Sequence, residues 1–135
     1  MAKRQLKRVD TSKVQGEGSH VLIRPLTFGE MQEIQSAGRE RQSRRVRLNA
    51  ERLRANNKND DDALARVQNE LAELETEAND ETRRIMARCV EKWDWVDYDG
   101  TPLPLPKDDP SVVDRLESWE LEIISDAIWG NDVKN

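Results

Sequence analysis

The sequence predicts a mainly α protein: a helical bundle with a long charged antiparallel helical hairpin, a small two-stranded β element and a C-terminal amphipathic helix. Three observations predict it. Apolar residues recur at steps of three and four from Leu64 to Ile85 and again from Val112 to Ile128, the spacing of helices that bury one face. Two neighbouring stretches carry opposite charge, residues 39–54 with seven arginines against two glutamates and residues 60–81 with nine acids against Arg66 alone. Only two short segments, near 20–24 and 93–98, have the β-branched or aromatic make-up of strands.

The 135 residues suffice for one modest core, expected over residues 20–130 as a single helical domain with a protruding charged hairpin at 39–81. Residues 1–19 mix basic and small polar groups with Gly16 and Gly18 and read as a flexible basic arm, and 131–135 as a frayed tail. His20-Val21-Leu22-Ile23-Arg24, stopped by Pro25, reads as an edge strand. Thr27 followed by Glu30 has the capping-box spacing, in which each side chain satisfies the other residue's backbone N–H, so a helix is expected to start there. Its apolar stripe opens with Met31, Ile34 and Ala37, fades through the arginines and returns as Val46, Ala50 and Leu53.

Asn56 to Asp62 holds no apolar residue and is rich in turn formers, which predicts a reversal. A second helix follows from about Asp61 to Lys92, with Leu64, Val67, Leu71, Leu74, Ala78, Glu81 and Ile85 on a narrow seam. Folded back on the basic first helix, it explains the charge blocks. Each exposed pair adds only about 0.2–1 kcal/mol, so the charges select register more than they supply stability. Trp93 to Tyr98 and the positive-φ pair Asp99-Gly100 predict a second strand and tight turn that pairs with 20–24. Thr101 to Pro106 alternates proline with Leu103 and Leu105, favouring an extended path. Asp109-Pro110 then predicts one amphipathic helix carrying Val112, Val113, Leu116, Trp119, Ile123, Ala127 and Ile128, ended by Gly130-Asn131.

Hydrophobic and charged residues each make up 36% of the chain, the net charge is −5 and the mean hydropathy −0.91, so much of the length must be solvated. An acidic chain lacks the surplus of basic groups on which phosphate affinity rests, and nucleic acid is not an expected partner. No stretch reads as a signal peptide or a membrane span. The single cysteine, Cys89, cannot close an internal disulfide and suits a reducing compartment.

No catalytic residue, metal site or cofactor is expected, and the protein is not read as an enzyme. His20 and Cys89 are single copies far apart, too few for a nucleophilic pair or a histidine metal site. Aligning Gly100 with the glycine of a calcium loop puts Trp95 and Pro106 at ligand positions, which excludes that motif. Gly16-Glu17-Gly18 lacks the third glycine and preceding strand of a phosphate loop.

Four of the six aromatic residues are tryptophans. Trp93 and Trp119 suit a core and an interface equally. Trp95 beside a turn and Trp129 at a helix end suit interface anchors, with Ile128 and Leu105 beside them. The partner-binding face expected from sequence comprises Trp95, Leu103, Leu105, Trp119, Ile123, Ile128 and Trp129.

The order Val21-Leu22-Ile23-Arg24-Pro25-Leu26-Thr27, a helical stretch, Val90-Glu91-Lys92-Trp93-Asp94-Trp95-Val96-Asp97-Tyr98-Asp99-Gly100-Thr101-Pro102-Leu103-Pro104-Leu105-Pro106 and a closing amphipathic helix resembles the tail assembly chaperones of long-tailed, siphovirus-like bacteriophages. The likeness covers about residues 20–130 and is sharpest in the tryptophan-aspartate-glycine-proline-leucine stretch; the charged hairpin is longer than the family pattern. The resemblance implies a viral protein of the host cytoplasm that binds and solubilises the tape measure protein during tail assembly, many copies coating one client as a homo-oligomer. The tail tube protein is a second partner it implies. Alternative expectations are a structural virion or connector protein retained in the particle, and a nucleic-acid-binding regulator using Arg39 to Arg54 and the basic arm of residues 1–19.

Overall fold

A computed structural model of the protein describes residues 4–132. Its contacts divide the chain into two units, one made of residues 27–81 and the other of the segments on either side. The elements in order are β1 (Lys7–Asp10), α1 (Ser12–Gln15), β2 (His20–Ile23), α2 (Phe28–Asn57), α3 (Asp61–Cys89), β3 (Val90–Trp93), a 3₁₀ helix (Pro110–Arg115) and α4 (Ser118–Trp129).

The unit of residues 27–81 is the charged hairpin. The capping box opens α2 as expected: the Glu30 N–H donates to Thr27 Oγ1 at 3.2 Å and the Thr27 N–H to Glu30 Oε1 at 2.8 Å. The reversal is closed by Asn59 at φ +52°, and Asp60 caps α3 by accepting the Ala63 N–H at 3.1 Å. Val67 and Leu74 are fully buried and pack with Leu48, with Leu71 against them.

The apolar contribution of α2 differs from expectation. Val46 and Leu53 are 60% and 62% exposed, whereas Leu48 and Ala55 are buried. The reason is azimuthal: Leu48 lies two residues, or about 200°, beyond Val46 at 3.6 residues per turn. The Leu48 side also carries the arginines that reach the acids of α3. Arg41 meets Glu81 through two hydrogen bonds, of 2.8 and 3.3 Å, and Arg44 meets Glu77 at 3.1 Å. Arg66 returns the contact to Glu51 at 3.2 Å. Charge and seam thus agree on one antiparallel register.

The other unit is built on a three-stranded antiparallel sheet in the order β1-β2-β3. This corrects the expected two-stranded element, and β2 is its central strand, not an edge. The segment read as a flexible arm supplies the third strand: Val9 pairs with Val21 and is buried. Gly16 and Gly18, at φ +111° and +83°, return the chain from α1 into β2 in conformations that a side chain would resist. Residues 1–3 of that arm lie outside the described residues.

The partner of β2 on its other side is β3, with Val21 opposite Trp93. The expected pairing therefore forms, but over 90–93, because α3 ends at Cys89 and the strand begins immediately after it. Residues 96–102 make a tight return in which Val96 bridges Pro102 and Gly100 sits at φ +83°.

The predicted C-terminal helix is two elements. Asp109 caps Pro110–Arg115 by accepting the Ser111 N–H at 3.1 Å, but Leu116 and Glu117 are extended, with ψ of 145° and 155°. A second capping box, Glu117 with Glu120, restarts the chain as α4. Gly130 ends α4 in the left-handed conformation at φ +78°. Lys7 ties β1 to this end, donating to Ala127 O at 3.3 Å and pairing with Asp132 at 2.5 Å, where a cation also complements the helix dipole. Of the expected tail, residues 133–135 lie outside the described residues.

Trp95 is the largest fully buried side chain in this unit, at 1% exposure, stacked on Trp93 with ring centroids 4.8 Å apart. Its indole N–H donates to Thr11 Oγ1 at 3.0 Å, Thr11 and Ser19 hydroxyls meet at 2.7 Å, and Ser19 donates to Asp94 Oδ1 at 2.9 Å. The carboxylate can only accept, so Ser19 spends its proton there and Thr11 must donate to Ser19. Thr11 is completely buried, so Thr11→Val leaves the indole N–H unsatisfied. The expected loss is about 1–3 kcal/mol in urea unfolding, with Thr11→Ser retaining most of the stability.

Candidate functional site

The face of the sheet unit that carries its exposed aromatic residues, Tyr98 and Trp119, lies between α1, the 96–103 return and the start of α4. Two adjoining grooves of about 180 and 350 Å³ share Val14, Glu117 and Glu120. Tyr98 and Trp119, respectively 86% and 69% exposed, stand along them. Both grooves are open to solvent, a shape suited to a docking segment more than to an enclosed small ligand.

The frame beneath is held by hydrogen bonds. Gln15 imitates a strand backbone, donating from Nε2 to Val96 O at 3.1 Å and accepting the Val96 N–H at 2.9 Å. The same Nε2 also bonds Glu120 Oε2, and Glu120 is buried while its Oε1 accepts the Glu117 N–H at 2.9 Å. Glu117 in turn accepts the Tyr98 hydroxyl at 2.9 Å, which fixes the phenol on the rim and pushes its pKa up. One α4 cap therefore positions α1, the return and Tyr98.

Arg115 hydrogen-bonds Asp97, and with the Tyr98 N–H it holds that carboxyl below its ordinary value of 3.8; the Thr101 N–H does the same for Asp99. A lowered folded value means support that is present above the ordinary carboxylate range and lost as pH falls through the lowered value. The return is thus expected to stay closed near pH 4 and loosen in stronger acid. Arg115→Ala should move that loosening upward toward pH 3.8, read from amide exchange at Gly100 and Thr101.

Of the residues expected to bind a partner, Trp119 is on this surface and Leu103 lines its floor, itself only 7% exposed. Leu105, Ile123 and Trp129 are half-buried. Trp95 and Ile128, each 1% exposed, belong to the core, so their expected exposure is overturned. For Ile128 the cause is helical geometry: nine residues from Trp119 is two and a half turns, which places it on the opposite side of α4. For Trp95 the cause is the Thr11 acceptor and the Trp93 stack. Tyr98, Val14 and Gln15 were not anticipated. For Val14 and Gln15 the available signal is Gly16 and Gly18 just before a strand, the mark of a structured return.

No protein-family model, curated protein or solved structure matches the chain. Among the described residues, no group of three or more His, Cys, Asp or Glu side chains stands ready to hold a metal ion, and no helix is long and apolar enough to cross a membrane. Cys89 is buried with Met86 and Val90 in the core of the sheet unit.

Proposed function

We propose that the chain is a phage tail assembly chaperone that acts by binding, without chemistry of its own, and that its client is the tape measure protein. The observation that carries the reading is the exposure of Trp119 and Tyr98 on a frame held by the Gln15, Glu117 and Glu120 hydrogen bonds. Large aromatics with little conformational freedom are the anchors that dominate protein interfaces. A long client helix with an apolar stripe would lay that stripe along the grooves, a helix-in-groove mode of recognition. Glu117 beside the rim favours basic residues flanking the stripe.

Single contacts of this size are weak, and coating by many copies would supply the affinity through avidity. Weak contacts also allow release when tail tube subunits replace the coat. The place of action proposed is the host cytoplasm. Support for this family comes from the resemblance of residues 20–130, above all the Trp93 to Pro106 stretch, whose return builds one wall of the groove.

Co-expression with tail proteins of the same genome, followed by light scattering of the recovered complex, tests the proposal. Recovery of a long helical client carrying many copies supports it. Recovery of the chain only as a fixed component of purified particles would replace it with a structural role.

A further inference from the structure

We infer that the hairpin of residues 27–81 is a self-association module, in which the outer face of α2 docks on the outer face of α3 in a second copy. The ion pairs within the hairpin use Arg41, Arg44 and Glu51 on the inner side of α2. On the outer side Val46 and Leu53 are 60% and 62% exposed, with Ala50 between them, and Arg39, Arg45, Arg47 and Arg54 are exposed around them. An apolar ridge ringed by arginines is a face that calls for an acidic helix with room for the ridge.

The outer face of α3 has that chemistry. Ala65 and Ala72 are exposed and seven residues apart, the same interval as Val46 and Leu53. They are flanked by the exposed acids Asp62, Glu73 and Glu75. One antiparallel register sets Val46 against Ala72 and Leu53 against Ala65, small residues that let a ridge approach closely. The same register brings Arg47 to Glu73 and Arg54 to Asp62 along one side, and Arg45 to Glu75 along the other, by the 100° step of the helix. It is also the register that the hairpin uses internally, where Arg44 faces Glu77 and Arg66 faces Glu51. Copies related by a sideways shift would therefore each present α2 to a neighbour's α3.

Such a contact uses two different surfaces, so it is heterologous and continues from copy to copy as an open array or a ring. A phosphate backbone would satisfy the arginines but leave Val46 and Leu53 against water, which disfavours nucleic acid as the occupant. The array deepens the proposed coating of a long client, yet it is a property of the chaperone alone, so it can fail while client binding stands.

Sedimentation of the full chain without client tests it. Wild type is expected to show a weight-average mass that climbs with concentration beyond twice the 15.6 kDa of one chain, free of nucleic acid by absorbance. Arg45→Glu with Arg47→Glu, and separately Glu73→Arg with Glu75→Arg, should each stay monomeric with unchanged helicity, because all four positions are exposed. Mixing the two variants should restore the large species, since each then meets a complementary face. A wild-type monomer at every concentration, a dimer that grows no further, assemblies that vanish with nuclease, or a mixture that stays monomeric would each overturn the inference.

Discussion

Trp95→Ala is expected to destabilise the sheet unit by about 3–5 kcal/mol, the range for removing a fully buried large aromatic. The substitution removes the stacking partner of Trp93, leaves a cavity where a fully buried ring stood, and strips Thr11 of its indole donor. Most domains have a total stability of only about 5–15 kcal/mol, so much of the variant would unfold under mild denaturant. Urea unfolding followed by the fluorescence of the remaining tryptophans measures it. Because the hairpin has its own core of Leu48, Val67 and Leu74, its helical signal should outlast the fluorescence transition.

Trp119→Ala should do the reverse. At 69% exposure it has little packing to lose, and exposed substitutions usually change stability by no more than about 0.5 kcal/mol. As the proposed anchor it should lower client affinity by about 2 kcal/mol, roughly thirty-fold. Tyr98→Phe is a milder companion, removing the bond to Glu117 while keeping the ring. Strong destabilisation by Trp119→Ala with unchanged client binding would reassign it to the core. Ile128→Ala cannot serve this purpose, because Ile128 is buried and its truncation would confuse folding with binding.

The contrast between Trp95 and Trp119 shows where sequence pattern stops being informative. Periodicity located α2, α3 and their reversal because those features are local: a capping box at Thr27, turn formers at 56–60 and a seam every three or four residues. The fate of Trp95 depends on Thr11, 84 positions away, and no local rule connects them. The N-terminal strand was hidden for a related reason. Five basic residues in the first thirteen outweigh one buried Val9, yet a strand needs only alternation and a neighbour to pair with.

Two other differences are matters of phase and of capping. The apolar residues of α2 form two stripes about 200° apart, and composition cannot say whether Leu48 or Val46 faces α3; the partners of Arg41 and Arg44 decide it. The break at Leu116 and Glu117 is masked because apolar spacing runs through it and glutamate is not a favoured helix cap. The candidate groove was therefore legible only in part, through Trp119 and Leu103. Its other wall came from residues 14 and 15, in the segment read as an arm.

Hydrogen exchange of the full chain, alone and saturated with a tape measure protein of the same genome, reads the proposed docking surface residue by residue. New protection is expected at residues 96–103 and in the first turns of α4, with Trp119→Ala abolishing it. Binding with protection confined elsewhere, or no binding to any tape measure protein at high concentration, would rule out client docking on this surface.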